Sequence, residues 1–477
     1  MNLKAMRSDR GIERGVSLRP FLVAACRLTR ALALLAAAGA FAHPAAQEVA
    51  PVLSPDPIED VPSTRVDPFP EFDNFGWRAF VALNWPSLTD AAHRGLPDRA
   101  RTLGDPGPRV WETFKARYEL FQVGQDGRPA VAPPWATYEA SNPCGTDVDS
   151  RAKTLATFEP FQDFNQSAFL PGAAANPLVA QNRTYTRYEV RINELEYVAL
   201  ANSGWSRGEN LPDVAHPARM PAGSVAVKAA WRVLTAADTP AVRARYYVVE
   251  NANVVDVART LAAGRVVCSK SDVALVGLHI VVRTKYRPQG LWSTFEHVDN
   301  VPPAGTGEAR EPDARDAGAP YSYFDPSKPG LGLSPPFGSP DTLPVSLDHP
   351  PRIEPMPMQV VRRHAIHPST MSLNRAYWAL PGIKGTVWEH YMLVASQWPT
   401  VPHPADPEND GAFFPGPPPP PDAPRENYQS ADAPKENMIN TTIETYLQDP
   451  PSSCMSCHQV VSNALGRDFV GVLGSFR

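Results

Sequence analysis

Near its C-terminus the chain reads Cys454-Met455-Ser456-Cys457-His458, and nineteen residues follow. Two thiols three positions apart reach the two vinyl groups on one edge of a porphyrin, and the adjacent imidazole presents a nitrogen to the iron from one face. The spacing therefore specifies one covalent haem, tethered by Cys454 and Cys457 and ligated by His458. Two other chemistries use a close cysteine pair. Half of a zinc site needs two further ligands, and the residues after His458 contain no Cys, His or Met. A thioredoxin-like redox pair opens a helix after a strand, whereas this motif follows Asp449-Pro450-Pro451-Ser452-Ser453.

Of five cysteines in 477 residues, Cys26 falls in the N-terminal leader and two stand far apart, at Cys144 and Cys268. Thiols in an oxidising compartment tend to pair, so a structural Cys144–Cys268 disulfide is expected, with two buried unlinked thiols as the alternative. The leader argues for that compartment. Seven Lys/Arg precede the apolar run Ala31–Ala42, which ends in Ala40-Phe41-Ala42 and is too short to span a bilayer, so residues 1–42 read as a cleaved secretory signal. Val23-Ala24-Ala25-Cys26 resembles a lipoprotein box but precedes that run. Export to the periplasm or beyond follows, with no membrane-spanning segment after cleavage.

Losing residues 1–42 removes seven basic and two acidic groups, leaving 38 Lys/Arg against 48 Asp/Glu, a net charge of −10. Such a chain repels phosphate backbones, which argues against nucleic acid and suits a basic redox partner or a neutral small molecule.

A haem exposes two large apolar faces, and the 43 residues from Lys435 to Arg477 cover only one of them. The other face should dock on the rest of the protein, and a sixth iron ligand must come from upstream. His279, His297, His390, Met371, Met392 and Met438 are the candidates. His297 leads, because Trp292, Phe295, Glu296 and Asp299 surround it with aromatic cover and with carboxylates able to orient an imidazole. Met438 and His279 are the alternatives, alongside an iron left open or water-bound.

The elements that must position these groups are strand-rich. With 54 prolines among 477 residues, long helices throughout are excluded. Residues 43–70 form a Pro-rich lead-in. Phe72, Phe75, Trp77, Phe80 and Leu83 follow helical spacing up to Pro86, and Trp111, Phe114, Tyr118 and Phe121 predict a second amphipathic helix; these aromatics read as core. Period-two, β-branched segments follow at 223–234, 245–255, 272–285, 291–300 and 386–399, without long intervening helices, an antiparallel signature. The prediction is an α+β fold: an antiparallel strand-rich body over 71–400 with N-terminal helices, and a short C-terminal haem-binding segment, 435–477, docked on it. Residues 302–357 read as an irregular excursion and 401–434, with its run Pro417–Pro421, as an extended linker. Thr441-Thr442-Ile443-Glu444 fits a helix-initiating capping box.

At Cys454–His458 the sequence resembles c-type cytochromes in general. The segments FGWRAFVALNWP (75–86), SVAVKAAWRVL, VGLHIVVRTK, LWSTFEHVDNVP, SQWP and NTTIETYLQ ahead of SSCMSCH are similar to long exported bacterial proteins described as cytochrome c family proteins. That resemblance implies export and haem attachment and names no reaction. Compact cytochromes place the motif near the N-terminus with a downstream Met, which this chain lacks. Two roles remain in view: a monohaem electron carrier, and a haem c oxidoreductase of peroxidase or oxygenase type with a substrate cavity in the large body.

Overall fold

The computed structural model describes residues 50–56, 69–124, 126–138, 142–145, 151–156, 177–211, 220–285, 287, 289–303, 319–328, 349–398, 439–448, 454 and 458. The expected leader, most of the lead-in, the 401–434 linker, much of the 302–357 excursion, Cys457 and Met438 lie outside them. Among the described residues eight strands form one sheet: β1 Lys115–Ala116, β2 Thr154–Leu155, β3 Arg187–Ile192, β4 Val225–Val233, β5 Val248–Val255, β6 Cys268–Val282, β7 Leu291–His297 and β8 Tyr391–Gln397. Their order is β1-β3-β4-β6, after which the sheet forks. β5 pairs with Cys268–Ala274 of β6 and carries β2, whereas β7 pairs with Gly277–Val282 of the same strand and carries β8. Every pairing is antiparallel except β2 with β5. The α+β expectation therefore holds, with a mixed sheet.

The fork leaves backbone groups that must find partners elsewhere. Tyr391 supplies them: its hydroxyl accepts from the Tyr247 N–H (3.0 Å) and donates to the Leu275 carbonyl (2.9 Å). Asn300 Nδ2 donates to the Val276 carbonyl beside it (2.6 Å). Period two then divides the side chains between two faces. Val227, Ala229, Leu278, Ile280 and Phe295 lie on the inner face with the core. Lys228, Gly277, His279, Trp292, Thr294 and Glu296 lie on the outer face.

Helix α1 (Phe69–Leu83) and a helix at Pro368–Trp378 cover the inner face. Trp77 stacks on Tyr377 (4.6 Å) and donates to Asn374 Oδ1 (2.8 Å), while Phe80 stacks on Phe295 (4.3 Å). Gly76 permits the approach, since a Cβ there would lie 2.6 Å from Ser293 Oγ. Residues 50–56 of the lead-in join this layer, with Leu53 packed against the core.

The second predicted N-terminal helix does not form. Its aromatics are buried as expected, but the chain makes a 3₁₀ turn at Val110–Thr113, the strand β1 and one helical turn at Arg117–Leu120. β1 pairs with Ile192 and Arg191 of β3, and that ladder holds Lys115–Ala116 extended where helical periodicity would continue. Other helices arise unannounced between strands, at Glu194–Asn202 and Val257–Ala263, capped by Asn193 and Asp256. The Cys144–Cys268 disulfide is present, with Cα atoms 5.5 Å apart, and ties the start of β6 to the loop before β2. No helix among the described residues is long and apolar enough to cross a membrane.

Candidate functional site

The outer face of β4, β6 and β7 receives the C-terminal segment. Residues 439–448 are held there by a set of directional contacts. Asn440 Nδ2 donates to Thr294 Oγ1 and to the Phe295 carbonyl, both at 2.9 Å. The carboxylate of Glu296, fully buried, accepts from the backbone N–H of Thr441 (2.5 Å), from its hydroxyl (2.6 Å) and from Arg362 Nη2 (2.7 Å). Tyr188 donates to the Thr442 carbonyl (2.7 Å) and Gln448 Nε2 to the Val361 carbonyl (3.0 Å). Gly277 admits the chain: a Cβ at that position would meet Thr442 Oγ1 at 2.3 Å.

The local conformation differs from the predicted capping box. Asn440, not Thr441, is the organising residue, since its Oδ1 accepts from the N–H and hydroxyl of Thr442 and its own N–H donates to Glu444 Oε2 (3.1 Å). The chain then makes only a 3₁₀ turn, at Thr445–Leu447.

Beyond this anchor the motif's first thiol and its imidazole reach the same face. Cys454 is half-buried and lies close enough to Lys228 to act on its charge. Burial lowers the affinity of the Lys228 ammonium for its proton, against the pull of Glu444 and Cys454. The half-buried His458 ring sits 4.7 Å from Trp292, tilted by 53°. Lys228 and His279 are direct cross-strand partners, and Trp292 is the diagonal neighbour of His279 on β7.

His279 and His297 sit in different settings. The His297 ring is fully buried at the fork, stacked on Tyr246 at 3.7 Å. Its Nε2 faces the Arg245 carbonyl (3.0 Å) and its Nδ1 accepts from the Asp299 N–H (3.1 Å), so both nitrogens are committed to backbone. Burial pushes this imidazole down to about 3, against the attraction of Asp299. A neutral ring bonded at both nitrogens has no lone pair for iron, and His297 is a structural residue of the fork. His279, by contrast, has a buried Nε2 with no hydrogen bond; Glu444 Oε2 lies 3.3 Å away but outside hydrogen-bonding geometry. Met371 and Met392 are core residues, and His390 lies beside His297 at the fork, 6.0 Å ring to ring.

These residues fit a covalently tethered porphyrin. A thiol and an imidazole four positions apart share one sheet face with an aromatic ring and an orphaned imidazole nitrogen. The signal that would have favoured His279 was register: its parity along β6 matches Lys228 and Trp292, while His297 ends β7 where the strand turns into the fork. Compared with protein-family models, with curated proteins and with solved structures, the chain shows no match.

Proposed function

We propose that the chain is an exported, periplasmic or secreted monohaem c-type cytochrome, of the long bacterial type its sequence resembles, and that it transfers electrons. The observation that carries this reading is the joint position of Cys454 and His458, the ends of a C-x-x-C-H motif, on the outer face beside Trp292, Lys228 and His279. When bound, haem c supplies a one-electron ferric/ferrous couple. The chain's own residues do the rest. Cys454 and Cys457 would hold one porphyrin edge and His458 would ligate, its ring kept in place by Trp292. His279 Nε2 would offer the iron a second nitrogen, in place of His297. The anchor at Asn440–Gln448 holds the tail against the sheet, so that the strand-rich body gives the second face its cover.

The enzyme alternative requires a substrate cavity over an open iron. The cavity of about 1040 Å³ lined by Arg109, Lys153 and Tyr247 shares no residue with the surroundings of Cys454 and His458, which supports the carrier. With an acidic mature surface, a basic redox partner is the natural counterpart. Expression with the cytochrome c maturation machinery, followed by haem staining of a denaturing gel, tests the reading. Haem should migrate with the chain and be lost in the Cys454→Ala/Cys457→Ala double variant. Covalent haem retained by that variant, or none in the parent, refutes it.

A further inference from the structure

Beside the β5 edge of the sheet, the 104–113 segment, residues 151–153 ahead of β2 and the start of β5 line a cavity of about 1040 Å³. Its lining contains five basic side chains, Arg109, Arg151, Lys153, Arg191 and Arg243, against two acidic ones, Glu112 and Glu250. Part of that charge is answered within the protein. Lys153 Nζ bridges Glu112 (2.9 Å) and Glu189 (2.5 Å), and Arg243 pairs with Asp272. Burial works against the Glu189 carboxyl, yet Arg191 and Lys153 bring it down to about 2, so it stays ionised.

Two buried guanidinium groups are less completely satisfied. Arg191 donates from Nε to Glu189 (2.6 Å) and from Nη1 to the carbonyls of Glu112 and Phe114 (2.6 and 2.9 Å); Nη2 makes no hydrogen bond, is not sealed from solvent, and belongs to a side chain lining the cavity. Arg109 donates to the carbonyls of Asn84, Leu103 and Asp105 and lies over the rings of Tyr247 (4.8 Å) and Trp388 (5.2 Å), while no carboxylate bonds its guanidinium. The Glu112 carboxylate offers the cavity nothing, being occupied by Lys153, by the Tyr247 hydroxyl and by the Arg109 backbone N–H. The remaining wall is apolar or aromatic, including Tyr138, Tyr246, Val248, Val249 and Val387. A buried cation with a spare donor beside such a wall is complementary to an anion carrying an apolar body.

We propose that this cavity binds a small organic carboxylate, its anion received by Arg191 and its apolar part against the tyrosine and valine wall. The site is separate from the haem reading, because its lining shares no residue with the surroundings of Cys454 and His458. Isothermal titration of the full-length protein with benzoate, and with benzamide as its uncharged match, tests it. Benzoate should bind, and benzamide about tenfold more weakly or not at all, with the visible absorption of any attached haem unchanged. Arg191→Lys keeps a cation beside Glu189 but loses the planar fork, and should weaken benzoate about tenfold. Should that variant fail to fold by circular dichroism, Arg151→Gln at the exposed rim carries the test, with an expected loss of about threefold. Absence of saturable binding by benzoate overturns the proposal, as does equal binding of benzamide or indifference to the folded variant.

Discussion

Replacing Gly277 by alanine adds one methyl group at the point where the C-terminal segment crosses β6. The added Cβ would stand 2.3 Å from Thr442 Oγ1 and 3.1 and 3.3 Å from Asn440 Oδ1 and Nδ2. The nearest atom must retreat by about an ångström, and it is a short side chain whose hydroxyl donates to Asn440 Oδ1 (2.7 Å). Turning Thr442 away loses that bond, worth about 1 kcal/mol, and Asn440 cannot shift without disturbing its bonds to Thr294 and Phe295. The expected cost is about 2 kcal/mol, within the range for overpacking, and it falls on docking of the tail rather than on the sheet. Such a loss raises the undocked population about thirtyfold. Native-state hydrogen exchange reads it directly, with amides of 440–448 exchanging faster while those of central β6 and β4 stay protected. Adding Thr442→Ala removes the clashing oxygen and should restore most of the loss. Unchanged exchange in 440–448, or a double variant no more stable than Gly277→Ala alone, would refute the close-approach argument.

Three further outcomes rest on the same contacts. Removing the Cys144–Cys268 bridge with a double serine variant frees a loop of 124 residues and should cost roughly 5 kcal/mol on the chain-entropy model, measured by urea unfolding; a cost below about 1 kcal/mol would show the loop to be constrained already. Because the folded pKa of His297 is depressed to about 3, the unfolded chain binds one more proton than the native one between about pH 6.5 and pH 3. Stability should thus fall as pH is lowered through that window, by up to about 1.4 kcal/mol per pH unit from this residue, and His297→Asn should flatten the slope by about one proton; a slope unchanged by the variant contradicts the buried neutral ring. In haem-loaded protein, His279→Ala should keep the covalent haem but convert a low-spin spectrum to a high-spin, carbon monoxide-binding one, while a low-spin spectrum persisting in His279→Ala removes that residue from the second axial position.

The sheet was legible because its strands carry strong period-two patterns, and β4 and β7 lie within the expected segments. The second N-terminal helix was misread for a physical reason. Trp111, Phe114, Tyr118 and Phe121 are buried at spacings that suit a helix, yet successive turns and a two-residue strand place the same side chains inward, and only β3 pairing decides between them. The disulfide was accessible from cysteine count and the expected compartment. The ranking of His297 above His279 was not recoverable from local composition, because the carboxylates near His297 have other work. Glu296 anchors Thr441 and Arg362, and Asp299 pairs with Arg245. Which face a histidine occupies follows from register and from the fork, and both are set by strands far away in sequence.

The anchor also bounds where the C-x-x-C-H motif can be. Gln448 is fixed to the Val361 carbonyl and the Arg363 N–H, and Cys454 comes six residues later. Six residues span at most about 20 Å when fully extended, so the first thiol stays within that reach of Gln448 while Gln448 stays bonded. The proline-rich stretch between body and tail need not supply that restraint. It only has to reach, since the register of the tail is set by Asn440, Thr441 and Gln448 against β7 and the 361–363 segment. On the proposed reading the large body would act as the second wall of the site, with Gly277 as the clearance and Glu296 as the clamp that hold the tail on the sheet's outer face. A tail excised from the body would keep the C-x-x-C-H motif but lose His279, Lys228 and Trp292 together, because all three belong to strands and none to the tail.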